Sequence, residues 1–185
     1  MSNFFNLIYN AQRVILVFLN EISFVKLNIN LYKIFISTLL FIFVALSEEV
    51  MFRGYILKNL MLSFNKYIAL IVSSLLFATI HIGNPNMTWF SFLNIALAGV
   101  FLGLSYIYTK NLWFPIALHL SWNLFQTLLG FKVSGQGSYS IVEFNINENN
   151  LLNGGDFGFE GSLLSLVFML IAIVFIYKYY KKQEN

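Results

Sequence analysis

"LYKIFISTLLFIFVALSEEVMFRGY", residues 31–55, opens as an apolar run and ends on two adjacent carboxylates, Glu48 and Glu49. Arg53 follows four residues after the second. Read alone, Leu31–Leu46 is a membrane-helix candidate that a few flanking residues or a bundle would complete. Carboxylates at the end of such a run are costly in lipid, so they need partners or a task.

The rest of the chain agrees with lipid as the main solvent. Of 185 residues 58% are hydrophobic and 10% charged, and the mean hydropathy is +0.73. A soluble domain of this size could not hide so much apolar surface. Four more stretches are membrane-helix candidates: Tyr67–Ile82, Trp89–Tyr108, Leu112–Leu129 and Leu163–Tyr180. A sixth, Phe4–Val25, carries Arg13 and Glu21, and either spans or lies in the interface as an amphipathic helix. The expected fold is therefore all-α, a polytopic transmembrane bundle of five to six membrane helices. Residues 1–30 form the N-terminal helix, 31–130 the membrane core, 131–161 a polar loop, and 162–185 a last membrane helix with a basic tail.

Several classes of function fall away at this point. The chain has no cysteine, which removes disulfides, thiolate metal sites and a cysteine nucleophile. A net charge of +3 asks for no nucleic-acid partner, since the lysines gather at helix ends. No small-residue cleavage site follows the first apolar stretch, so the N-terminus reads as part of the mature protein. The tail holds Lys178, Lys181 and Lys182 against Glu184, which places the C-terminus in the cytoplasm of a multi-pass membrane protein. Counting back, Lys58, Lys66 and Lys110 also fall inside, whereas Lys26 and Lys33 fall outside, against the rule. No pattern speaks to oligomeric state.

The helix that holds Glu48 should continue beyond it. Tyr55, Ile56, Leu60, Met61 and Phe64 make a helical stripe, so the rod runs on, with a kink expected at Gly54, to a turn near Asn65. Glu48 and His81 each lie about 16 residues from that turn, or roughly 24 Å along antiparallel helices, and so reach one depth. His119 and Asn123, in "PIALHLSWNLF", share a helical face at i and i+4, as do Glu49 and Arg53. Each residue has a plainer reading. Glu49 and Arg53 could be a solvated pair at the membrane edge, and His81 a headgroup histidine before Gly83 and Pro85. His119 and Asn123 could be interhelical glue. Their joint occurrence in membrane segments points instead to one buried polar site.

These residues also carry a resemblance. "EEVMFR" (48–53), "FATIH" (77–81) and "HLSWN" (119–123) match, in order, the EExxxR, FxxxH and HxxxN motifs of the CPBP family. That family comprises the CAAX-type and bacteriocin-processing membrane endopeptidases, also called Abi proteins. The resemblance implies an intramembrane endopeptidase in which Glu48 and His81 activate a water while His119 and Asn123 form an oxyanion hole. Glu49 and Arg53 would then support the site as an ion pair. The chemistry is sound on its own terms, because peptide hydrolysis needs a base beside the water and donors facing the carbonyl oxygen. Adjacent helical residues point about 100° apart, so the two glutamates divide the work.

The resemblance implies a membrane-associated peptide or protein substrate, through CAAX-type, pheromone or bacteriocin processing, and a bacterial host. No cofactor is expected. Two His and two Glu leave zinc open, but there is no HExxH and the same-face neighbour of His119 is an Asn, which favours a metal-free site. Two other readings stand beside the enzyme. One is a bacteriocin self-immunity or scaffold protein acting by binding alone. The other is a proton-coupled transporter, which would show an inverted repeat that the chain lacks. "GGDFGFEGS", residues 154–162, resembles a stretch near the C-terminus of many bacterial members, and no role is assigned to it.

Overall fold

The computed structural model describes Ala11 and residues 14–184. Helix α1, Leu31–Glu49, starts where the Asn30 side chain accepts the Lys33 backbone N–H at 3.1 Å. It passes without a break through a π-helical stretch, Val50–Leu57, into α2, Lys58–Ser63. The kink expected at Gly54 is thus replaced by a widened, continuous helix, a form that recurs at functional sites. The whole rod is 33 residues long.

The turn falls where the sequence suggests. Asn65 accepts the Tyr67 and Ile68 backbone N–H groups at 3.0 Å and starts α3, Lys66–Thr79. Thr88 caps α4, Trp89–Thr109, through the Ser91 N–H. Lys110, in the left-handed region at φ 52°, ends that helix, and α5, Trp113–Leu128, returns. The last helix, α6, is Leu163–Glu184, with Ser162 accepting the Ser165 N–H.

The protein is helical, as its composition requires. Three helices are long and apolar enough to cross a membrane: Leu31–Ser63, Trp89–Thr109 and Leu163–Lys182. The other two expected spans, α3 and α5, reach only 14 and 16 residues, short of the roughly 20 a bilayer core asks for. Most of α4 is buried, whereas α1 and α6 present exposed Phe35, Phe43, Val174 and Phe175. Helix α4 is therefore the centre, and the outer helices carry the exposed apolar faces.

Without a hydrophobic drive between helices in lipid, close packing needs small residues. Ala69, Ser73, Ser74 and Ala78 of α3 are buried, as are Ala96, Gly99 and Gly103 of α4. A Cβ on Gly99 would lie 2.9 Å from the Ser74 Cα, so only glycine lets the two backbones meet there.

Two segments depart from expectation. Among the described N-terminal residues, 14–18 are helical, and then the chain turns into strand β1, Ile22–Leu27. The helix expected over Phe4–Val25, and over residues 1–30 as a unit, therefore stops before Ile22; residues 1–10, 12 and 13 of it lie outside the described residues. The cause is a partner distant in sequence. Strand β2, Val142–Ile146, inside the expected polar loop, pairs antiparallel with β1 and sets Lys26 opposite Glu143. β-branched and aromatic residues in both segments suit such a ribbon.

The remainder of the 131–161 loop folds down onto the helices. Gly155–Phe157 and Phe159–Gly161 form two short 3-10 turns that bury Phe157 and Phe159. Gly158, at φ +96°, lies so close to the Lys132 carbonyl that a Cβ would fall 2.3 Å from its oxygen. The Asn94 amide of α4 donates to the carbonyls of Glu160 (2.7 Å) and Ser162 (3.1 Å), fastening the loop to the central helix.

Candidate active site

The two glutamates that end α1 have opposite surroundings. Glu49 is fully buried and its Oε1 accepts Arg53 Nη1 at 2.7 Å, one helical turn on. Arg53 also donates from Nη2 to the Gly99 carbonyl at 3.0 Å. Its guanidinium lies 4.5 Å over the Phe77 ring, a cation–π contact in a desolvated place. The solvated pair at a membrane edge is thereby ruled out. Glu49 Oε1 has a second partner that sequence reasoning missed, His119 Nδ1 at 2.8 Å. Two helices and an arginine thus meet on one carboxylate oxygen.

Glu48 turns the other way, about a fifth exposed, onto a cavity of about 470 Å³. Its Oε2 stands 4.0 Å from His81 Nε2 and 3.9 Å from His119 Nε2. These gaps exceed a direct hydrogen bond and suit one small bridging group. Among the described residues, Glu48 Oε2 has no hydrogen-bond partner.

Hydrogen-bond logic sets the imidazole tautomers. His81 Nδ1 lies 2.8 Å from the Phe77 carbonyl, which can only accept, so Nδ1 carries the proton. The lone pair of His81 then sits on Nε2, facing Glu48. His119 Nδ1 likewise donates to the Glu49 carboxylate, and its Nε2 also faces Glu48. Phe77, the first residue of the FxxxH match, touches both imidazoles: its carbonyl holds His81, and its ring and that of His119 meet edge to face at 6.1 Å between centroids.

Asn123, one turn beyond His119 on α5, is buried and lines the same cavity. The structure therefore brings Glu48, His81, His119 and Asn123 to one space, with Glu49 and Arg53 behind it. The expected equal depth of Glu48 and His81 is seen in their 4.0 Å separation. Among the described residues, no group of three or more His, Cys, Asp or Glu has the spacing of a metal centre.

The cavity also holds a polar wall that was not foreseen. Ser134, Gln136 and Glu160 line it from the folded-back loop, and Trp122 from α5. Glu160, one of two carboxylates on the cavity, comes from "GGDFGFEGS". Its signal in the sequence was an acidic residue between buried-type aromatics and turn glycines, beside a helix start.

Just over half of the chain matches a known family. A family model described as type II CAAX prenyl endopeptidase Rce1-like covers residues 30–125, the stretch holding all seven fixed residues of the three motifs. No curated protein and no solved structure matches the chain.

Proposed function

The chain belongs to the type II CAAX prenyl endopeptidase Rce1-like family, and from that premise we propose that it is a metal-free, multi-pass membrane protease in which Glu48 is the general base. The observation that carries this reading is the convergence of Glu48 Oε2 with two imidazole Nε2 atoms, 4.0 and 3.9 Å away, on a cavity wall. A water held between them donates to Glu48 and to His81. Glu48 takes a proton from it as the oxygen attacks the peptide carbonyl carbon, and then delivers that proton to the leaving amine. The carbonyl oxygen becomes an oxyanion received by His119 and Asn123.

The Glu49 contact adds a condition to the role of His119. With Nδ1 already donating to Glu49, Nε2 can donate to an oxyanion only when the ring holds both protons. Charge balance supports that state, because Glu48 and Glu49 against Arg53 leave one negative charge unmatched in a site largely shut off from water. The second proton on His119 neutralises the cluster, and Glu49 anchors it.

Asn123→Ala is expected to lower kcat by about 10²-fold or more with little change in KM, since an oxyanion donor acts mainly in the transition state. A variant with wild-type kcat would remove Asn123 from this role. The substrate is a membrane-associated peptide or protein, and lysines at the C-terminal end of the bundle favour that end in the cytoplasm.

Cleavage of a peptide library by the detergent-solubilised protein, with and without EDTA and o-phenanthroline, tests the whole reading. Cleavage that persists under chelation supports it. Cleavage that chelators abolish would replace Glu48 as base by a metal-bound water, and no cleavage would favour immunity by binding alone.

A further inference from the structure

The hydrolytic scheme leaves one buried acid unused. Glu160 is 8% exposed, and its carboxylate is held entirely by neutral donors. Oε1 accepts from the Trp122 indole Nε1 at 3.0 Å, and Oε2 accepts from the Ser134 backbone N–H at 2.7 Å and its hydroxyl at 2.8 Å. A carboxylate has about four acceptor sites, so one is still free. Among the described residues no Lys, Arg or His pairs with Glu160, and the nearby Lys132 ammonium is engaged by Asp156 at 3.6 Å. Desolvated carboxylates are ordinarily matched by a cation.

The missing cation has a route in. Glu160 lines the cavity that Glu48 lines, and no Lys or Arg lines it among the described residues. The indole that Glu160 holds belongs to Trp122, the neighbour of Asn123 in the chain. A sphere of the cavity's 470 Å³ would be about 10 Å across, the reach of about three extended residues. We propose that Glu160 is a specificity-determining residue that selects substrates with a lysine or arginine side chain within three residues of the cleaved bond. This inference rests on the protease reading and names the substrate chemistry of the same cavity. The basic side chain enters along the polar wall of Ser134 and Gln136, and its charge meets the free acceptor site of Glu160. An acidic side chain at that position meets the Glu160 carboxylate instead.

The test uses the full solubilised chain and sets of peptides matched except at one position. Lysine, its uncharged counterpart norleucine, and glutamate are placed in turn at each of the three positions on either side of the cleaved bond. At one position kcat/KM should favour lysine over norleucine by about tenfold or more, as a hydrogen bond between charged groups supplies, with glutamate worst. Glu160→Gln should bring the lysine-to-norleucine ratio close to one. A wild-type ratio near one at every position overturns the proposal. So does a Glu160→Gln protein that is slower on both peptides but keeps the wild-type ratio, which would make Glu160 a loop clamp only. Should Glu160→Gln fail to fold, the Glu48→Gln protein decides, because Glu160 is then the one carboxylate left among the described residues that line the cavity. Binding of the same peptides to Glu48→Gln protein separates this proposal from the protease reading. A tenfold lower Kd for the lysine peptide upholds the Glu160 assignment even where no cleavage occurs, and equal Kd values overturn it.

Discussion

Replacing Glu48 by Gln is expected to lower kcat by up to about 10⁴-fold, the upper end of what a general base contributes, and to leave the fold intact. The substitution keeps the side chain's length and shape. It also keeps an oxygen that can accept a hydrogen bond from a water between His81 and His119, and removes only the ability to take a proton. Glu48 is the one residue of the motif set for which such a clean change is available. It is about a fifth exposed and its Oε2 has no hydrogen-bond partner among the described residues, so little packing depends on its charge. Thermal unfolding of the variant should match that of the wild type, while turnover on any cleaved peptide collapses. Turnover within a few-fold of wild type would move the base to His81, whose Nε2 lone pair faces the same point at 4.0 Å. A growth test against a cognate bacteriocin with the same variant would separate catalysis from immunity by binding.

The residues of this site are legible in the sequence because lipid makes polar groups expensive. Glu48, His81, His119 and Asn123 stand out in "VALSEEV", "ATIHIG" and "LHLSWN" for that reason alone, and helical rise predicts that Glu48 and His81 share a depth. Other features were hidden by the nature of the contacts. The bond between Glu49 and His119 spans 70 residues and depends on how α1 and α5 are turned, which periodicity does not report. Glu160 reaches the cavity only because glycines at positive φ fold a polar segment down between helices. In the sequence it reads as one more charge in a solvated loop. Strand β1 was masked by "ISFVKL", a short apolar run that looks like the end of a helix until its partner, Val142–Ile146, is known. The π-helical stretch was foreseen only as a kink, since glycine marks a weak point in a helix without saying how the backbone responds.

Removing Arg53 should damage stability more than any other single change in the site. Arg53→Met fills similar space but leaves Glu49 fully buried, with His119 as its sole hydrogen-bond partner. Breaking a buried pair in this way costs about 3–5 kcal/mol, because an uncompensated charge stays behind. The thermal midpoint of the solubilised protein should fall steeply, and yield with it. The pair itself is imperfectly satisfied: Glu49 Oε2 and Arg53 Nε are both buried without hydrogen-bond partners among the described residues. A buried pair of that kind adds little net stability over neutral residues of like size, so Arg53→Met combined with Glu49→Gln should recover most of the loss. Activity should not follow. In the double variant His119 Nδ1 no longer faces a carboxylate, so the direct anchor of its second proton is lost although the net charge around it is unchanged. Stability restored with kcat still low is therefore the expected signature of a charge retained for the chemistry of His119. If kcat returned together with stability, Glu49 and Arg53 would be scaffold alone, and the tautomer of His119 would be set by the packing of α5.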